Sequence, residues 1–433
     1  MKRKNLIRGI IAVAISVVFT TSCKKSEICD DVTCPTGYIC EDGACVVDPS
    51  SPTESENIVK SGKITTDEIW KANNIYELAG KVIVDNGTTL TIEAGTIIKG
   101  RTGTGSLASA LVIARGSKIM ATGTASSPII FTSTLDNIKV GEKTGTNLDE
   151  TDNSKWGGLI VLGKANISAK VGDIEAQIEG IPADETYGKY GGTINTDNSG
   201  TLTYVSIRHG GALIGEGNEI NGLTLGGVGS GTSIDYVEVV ANLDDGIECF
   251  GGTVDINHAL VAYQGDDAFD IDQNYSGTFS NSMVVYDNTG DEFLEIDGPE
   301  NSTYASGKFT ITNCTFISKT SDGTVDLKSK AQGTVKDSKF VGLTKFKLST
   351  SFETTCVAKT DAYERYISGD LKVEGNNTTA VVEVYTSSTC TIPTTYSPAI
   401  NAIFNAAGNG SAATGANETD FSGWTWTALN SKF

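Results

Sequence analysis

The 433-residue sequence predicts an all-β fold, a right-handed parallel β-helix preceded by a small disulfide-held knot and closed by a C-terminal cap. Three observations carry this. An acidic stretch recurs in register: residues 243–250 (LDDGIECF), 265–272 (GDDAFDID) and 290–297 (GDEFLEID) align almost residue for residue, with a fainter copy at 321–328 (SDGTVDLK). The equivalent aspartates Asp244, Asp266, Asp291 and Asp322 lie 22, 25 and 31 residues apart, which is the pattern of constant strands and variable loops in a solenoid. The composition, with 49 Gly and 8 Pro and short turn-bounded runs of Val, Ile, Thr and Phe, excludes long helices.

Taken in order, residues 1–22 read as a secretory leader: Lys2, Arg3, Lys4 and Arg8 precede an apolar run too short to be a membrane span. Small residues then end on Cys23, as in a bacterial lipobox, although Thr20 stands where leucine is usual. The sequence thus predicts lipidation at Cys23, the alternative being ordinary cleavage. Removing the four leader cations takes the formal charge from −20 to −24, which argues against nucleic acid as a partner. The membrane would be reached through the lipid alone, at the outer membrane and facing either side.

Residues 23–47 hold Cys29, Cys34, Cys40 and Cys45. In an exported chain such density reads as two disulfides of an EGF-like knot, with three pairings possible and a metal site as the competing reading. Residues 48–60 form a polar linker, and 61–353 the solenoid. Its strands are legible from Lys81 onward at 82–84, 90–92, 96–98, 111–114, 118–120, 129–132 and 156–162. Residues 134–155 lack periodicity and read as a projecting loop, and 173–198 as a second excursion.

From Thr201 a second strand column appears at 202–207, 234–239, 256–261, 279–284, 311–316 and 335–340. Two columns plus corners in some 22–25 residues fit a β-helix and not a propeller, whose blades need about 40. Asn281, Asn313 and Asp337 coincide in this column and predict a stacked amide corner. Cys249 and Cys314 fall on inward positions. Residues 354–433 hold C-terminal coils and the cap, where Cys356 and Cys390 are candidates for a disulfide and Trp424 and Trp426 are expected to pack at the solenoid's end.

The acidic copies carry the candidate chemistry. Their inward residues alternate with Glu248, Asp270, Glu295 and Asp326, so stacking would put these carboxylates about 4.8 Å apart. Like charges at that spacing raise one another's pKa unless a cation compensates them. One reading is therefore a cation or substrate site, with Ca²⁺ as the cation and Asp245, Glu248, Asp267, Asp270, Glu292 and Glu295 as its ligands. The other is a solvated acidic face. His209 and His258 show no metal-ligand spacing and read as structural.

Residues 201–211 (TLTYVSIRHGG), 217–229 (GNEINGLTLGGVG), 244–253 (DDGIECFGGT) and 265–272, preceded by 90–100 (LTIEAGTIIKG) and 156–163 and followed by 421–429 (FSGWTWTAL), resemble a family of exported β-helix lipoproteins from Bacteroidetes. The resemblance implies a right-handed parallel β-helix on the cell envelope and carries no settled activity. A weaker similarity is to polygalacturonases: Asn242, Asp245 and Gly246, then Gly265, Asp266 and Asp267 one coil later, resemble their acidic motifs, while the expected histidine is replaced by Asp291 and Glu292. On that resemblance Asp245, Asp266, Asp267 and Lys330 are the catalytic candidates of a hydrolase. A Ca²⁺-dependent pectate-lyase-like reaction would instead need Arg208, Lys328 or Lys330 as base. The expectation is a surface binding or adhesion protein whose acidic coils hold a cation and whose loops contact a glycan or protein, with a polysaccharide-degrading enzyme as the alternative.

Overall fold

A computed structural model describes residues 38–41, 44–47, 56–170, 174–214, 219–287 and 289–433. The leader, Cys23, Cys29 and Cys34 lie outside the described residues. The chain forms two compact units, Met1–Glu54 and Ser55–Phe433. In the first, Tyr38–Glu41 and Ala44–Val47 form an antiparallel hairpin, and Cys40 and Cys45 are both disulfide-bonded. No helix among the described residues is long and apolar enough to cross a membrane.

The second unit is a right-handed parallel β-helix whose 26 strands form one continuous hydrogen-bonded system. Each full coil contributes to three parallel stacks rather than the two columns read from the sequence. Sheet A runs through Ile97–Gly100, Ile129–Ser133, 205–208, 237–240, 259–262, Met283–Tyr286 and Thr315–Ser318. Sheet B runs through Ala110–Ile113, Leu159–Leu162, Leu223–Gly226, Ile247–Phe250, Phe269–Asp272, Glu292–Asp297, Gly323–Lys328, Leu343–Ser349 and Val381–Tyr385. Sheet C includes Lys118–Thr122, 200–203, 233–235, Thr278–Ser280, Phe309–Thr312, Gly333–Lys336 and Leu371–Glu374.

The third sheet escapes sequence reading because a single residue makes the C-to-A corner. Tyr204, Tyr236, His258, Asn281, Asn313 and Asp337 all have φ near +50°, a left-handed conformation that Asn and Asp tolerate and aromatic residues rarely adopt. Stacking supports them. The rings of Tyr204 and Tyr236 lie 4.4 Å apart and those of Tyr236 and His258 4.3 Å apart, nearly parallel. Below them the amide of Asn313 donates to Asn281, and that of Asn281 to Asn257. The expected amide corner is thus the lower part of a longer ladder.

Inward residues of all three sheets interdigitate in one core. Phe269 from sheet B meets Phe279 from sheet C at 4.6 Å, and Phe316 stacks on Phe340 at 4.7 Å. Cys249 and Cys314 are buried free thiols in this core. Strands also precede Lys81: Asn57–Ile64 pairs with Ile75–Val84, and Glu68–Trp70 with Thr89–Ile92. At the other end, α1 (Ala362–Ser368) starts with a capping box of Asp361 and Glu364, and α2 (Tyr396–Ala406) buries Ile400 and Phe404 against the last coils. Cys356 and Cys390 are joined by a disulfide here.

Two expectations are overturned. Residues 134–155 do not project: Ile138 packs on Ile97 and Ile130, the outward side chains of sheet A, and Asp136 caps its own turn by accepting from the Ile138 amide and the Thr132 hydroxyl. Trp424 and Trp426 are not at the solenoid's end. They lie along the side of sheet A, Trp424 on Leu260, Met283 and Val285 and Trp426 on Val240, Ala262 and Tyr263. The buried Glu238 carboxylate fixes this tail, accepting from the amides of Trp426 and Thr427 at 2.8 and 2.9 Å and from the Thr427 hydroxyl at 2.8 Å.

Candidate functional site

The acidic copies stack on the outer face of sheet B. Pairing places Thr224, Glu248, Asp270, Glu295, Asp326 and Lys347 in one outward column. A second column holds Phe250 and Asp272, with Asp297 and Lys328 paired further along. At the A-to-B corner, Asp245 and Asp267 sit one coil apart. The Asp245 carboxylate accepts from the Asp267 amide at 2.9 Å, and the Asp267 carboxylate from the Glu292 amide at 2.8 Å. This turn chemistry explains an aspartate at that corner in both coils. Asp245, Asp267 and Glu292 therefore share one face, as a common site requires.

The face is only partly solvated: Asp266 is exposed and Asp244, Asp270 and Glu295 are half-buried, but four carboxylates are buried. Glu248 is 5% exposed, Asp267 5%, Asp245 7% and Glu292 3%. Three groups of carboxylates bring one oxygen each within 4.8 Å of one another: Asp244, Asp245 and Asp266; Asp245, Glu248 and Asp270; and Asp267, Glu292 and Glu295. Asp245 belongs to two of them.

Basic side chains divide the strip. Lys347 pairs with Glu292 and, at 3.2 Å, with Asp326, and Lys328 pairs with Glu295. Tyr385 donates to both oxygens of Asp326 at 2.8 and 3.0 Å. Among the described residues, no basic side chain makes an ion pair with Asp244, Asp245, Glu248, Asp266 or Asp270. One half of the strip is ion-paired with lysines; the other feels Lys328 only at longer range, at Asp266 and Asp270.

The carboxyls titrate accordingly. Burial, then the neighbouring Asp244, holds Asp245 well above the usual carboxylate range. Burial and Asp245 do the same to Glu248, and burial with Asp272, Asp245 and Glu248 to Asp270. Asp244 is pushed up to about 7 by burial and by Glu219, Asp266 and Glu179. Asp267 is pushed up to about 10 by burial and by Asp245, Glu295 and Glu292. Glu292 is also raised by burial, but Lys347 opposes the shift. Without a cation, burial and mutual repulsion favour the protonated forms of these carboxyls. A hard divalent cation with several oxygen ligands would replace those protons.

Two further details concern the uncompensated half. The Asn221 amide donates to Glu248, while its buried side-chain oxygen has no partner. Asp270 likewise has one buried oxygen without a partner. Asn221 and Thr224 line a cavity of about 10 Å³ together with Glu179 and Glu219, enough for one water-sized occupant. The donor set of carboxylates and an amide oxygen fits Ca²⁺.

The family described as "Pectate-lyase like beta helix domain" matches residues 62–428. The chain belongs to this family. Neither the comparison with curated proteins nor that with solved structures gives a match. Membership in the pectate-lyase-like family supports a carbohydrate-related role and leaves its place on the molecule, and binding or cleavage, to be argued from the residues.

Of the catalytic candidates, the structure brings Asp245, Asp266 and Asp267 together and leaves Lys330 apart. Lys330 follows its sheet B strand where the aspartates precede theirs, a separation on the order of 15–20 Å along the strand direction. Its amide donates to Asp361, and its ammonium reaches only the Glu300 carbonyl, at 3.4 Å. Arg208 is fully buried under residues 134–155, donating to Ser206 and to the Lys143 carbonyl. It faces away from the acidic strip, on sheet A. His209 is also buried there, hydrogen-bonded to the Asp152 carbonyl, and His258 pairs with Asp235 at 2.9 Å. Both are structural, as expected.

Sequence reading missed Asp244 as a member of a ligand group and Asn221, Glu179 and Glu219 altogether. Asp244 could have been found, since it heads the first acidic copy. The other three lie outside the repeats, so nothing periodic marks them.

Proposed function

We propose that this pectate-lyase-like β-helix is a lipid-anchored cell-envelope protein that binds glycans, with Ca²⁺ held by the Asp244, Asp245, Glu248, Asp266 and Asp270 half of its acidic strip. The observation that carries this is the Asp245–Glu248–Asp270 group, with Asp245 and Glu248 buried, Asp270 half-buried and no ion pair to a basic side chain among the described residues, beside a strip half that lysines pair directly. Binding is favoured over cleavage. The bases nearest the strip, Lys328 and Lys347, sit in ion pairs that hold them protonated. Burial lowers the pKa of Lys347, but Glu292 and Asp326 outweigh it and raise it to about 12. An elimination needs a neutral base.

The anchor at Cys23 and the outer-membrane location rest on the leader and the small-residue run before that cysteine. Cys23→Ala should release the protein from a detergent phase into the aqueous one; unchanged partition would remove the anchor from the reading.

The cation is tested by calorimetric titration of the full chain with Ca²⁺. Wild type should bind, and an Asp245→Asn, Asp270→Asn variant should lose at least about 100-fold in affinity, since two of the five carboxylate ligands are gone. No heat from the folded wild type would end the Ca²⁺ reading. A hydrolase reading draws on Asp267, which remains protonated to about 10 and could donate a proton to a leaving oxygen. Release of reducing ends from a polysaccharide, lost in Asp267→Asn, would establish it.

A further inference from the structure

A groove of about 720 Å³ opens beside the acidic strip, at the far ends of the sheet B strands. Its volume lies within the range of small-ligand sites. Lys170, Lys328, Lys330 and Lys359 line it, and so do Asp297 and Glu300. Among the described residues Lys170 and Lys330 make no ion pair, and Lys359 has only the exposed Glu353 at 3.7 Å. Lys328 is committed to Glu295. Asp361 also lines the groove, and Glu300 faces Lys170 and Lys330 beyond ion-pair distance, so the groove offers two ammonium groups outside any close ion pair and a third in a long one, in a chain of net charge −20.

Its acids offer the opposite chemistry. One oxygen of Asp297 and one of Glu300 are buried and have no hydrogen-bond partner. A buried acceptor left unpaired costs about 1–3 kcal/mol, so a donor belongs there. The hydroxyls of Thr350, Ser351 and Thr360 also line the groove, with Tyr385 and Pro299 as its apolar surface. A ligand that fills it must supply an anion to the lysines and several hydroxyl donors to the acids at once.

We propose that this groove binds an anionic saccharide directly, lysine to anion, without a bridging cation. The anion is a sugar carboxylate or a sulfate ester, both of which lysine pairs equally as a point charge. Hydroxyls of the same sugars donate to Asp297 and Glu300. The inference rests on the carbohydrate-related role but not on the Ca²⁺ site.

The test uses the full chain in excess EDTA, titrated in parallel with a uronic-acid oligosaccharide, a sulfated oligosaccharide and a neutral one of equal length. At least one anionic ligand should bind ten-fold or more tightly than the neutral one, and which one identifies the source of the anion. A Lys170→Ala, Lys330→Ala variant with an unchanged melting temperature should lose ten-fold or more in that affinity, with a shallower salt dependence. Equal affinity for anionic and neutral ligands, or an unaffected lysine variant, would overturn the groove. Binding that appears only when Ca²⁺ replaces EDTA would also overturn it, while leaving the cation site intact.

Discussion

The outer face of sheet B is one surface with two chemistries. In its early coils the outward column reads Ile83, Val112 and Ile160, and Ile167, Ile178, Ile181 and Tyr190 cover it. In its later coils the same column reads Glu248, Asp270, Glu295 and Asp326. Backbone, register and strand spacing are shared, so neither fold nor pleat selects the acids. The cover does. Residues 174–191 fold back over the early coils, and the Tyr190 ring lies where a Cβ on Gly226 would be 2.8 Å from it. Beyond Phe250, whose ring is 5.9 Å from that of Tyr190, the cover ends and the carboxylates begin. A solenoid can thus change a surface from packing to binding by exchanging one residue per coil.

The comparison breaks most sharply if an acid is moved into the covered half. Ile160→Asp would bury an unpaired charge among Ile83, Val112 and Tyr190, and we expect a loss of more than about 4 kcal/mol, read as a collapse of the denaturation midpoint. An unchanged midpoint would mean that the cover is not a dry core.

Next in size is the cover itself. Tyr190→Ala removes a ring that is 2% exposed, and its hydroxyl bond to Gln273 at 3.1 Å, for an expected cost of about 3–5 kcal/mol. The acidic half should keep its Ca²⁺ affinity. If affinity fell in parallel, the two halves would be one cooperative site.

On the acidic half the sign reverses. Asp270→Asn should stabilise the cation-free protein, by about 1–2 kcal/mol, because it removes a carboxyl whose ionised form is disfavoured first by burial and then by Asp272, Asp245 and Glu248. It should also abolish stabilisation by Ca²⁺. The pH dependence follows from the same groups. A carboxyl whose folded pKa is raised binds more protons folded than unfolded, so stability falls as pH climbs from about 4 toward the folded value. That window ends at about 7 for Asp244 and extends to about 10 for Asp267. Without Ca²⁺ the melting temperature should therefore be higher at pH 5 than at pH 8, and saturating Ca²⁺ should restore the loss at pH 8. A flat profile in EDTA would show that the carboxyls are not coupled.

These expectations also mark what the residues disclosed on their own. Alternation at 247–250, 269–272 and 294–297 sufficed to place the ladder, because period two fixes the face and the repeat fixes the stacking. The corner at Tyr204, Tyr236 and His258 was hidden, since a left-handed aromatic is stabilised by rings from the coils above and below and not by its own neighbours. The tail was hidden for a similar reason. Glu238 is an outward acid like Glu248, and only the amides of Trp426 and Thr427, nearly 200 residues later, make it an anchor. Burial of an outward face depends on what folds back over it, and no period in the sequence records that.

The smallest effect separates the two halves of the acidic strip. Glu292 is already matched by Lys347, so Glu292→Gln removes a carboxylate from a group that has an internal cation. Its Ca²⁺ affinity should fall by less than about 3-fold, against the roughly 100-fold expected at Asp245 and Asp270. Stability should drop instead, since the substitution leaves the Lys347 ammonium with Asp326 alone. The converse change, Lys347→Met, would leave Glu292 and Asp326 without their cation and should create a second Ca²⁺ equivalent in the titration. If Glu292→Gln weakened Ca²⁺ as much as Asp245→Asn, the lysines would be ornaments of a single continuous site rather than the cations that fill half of it.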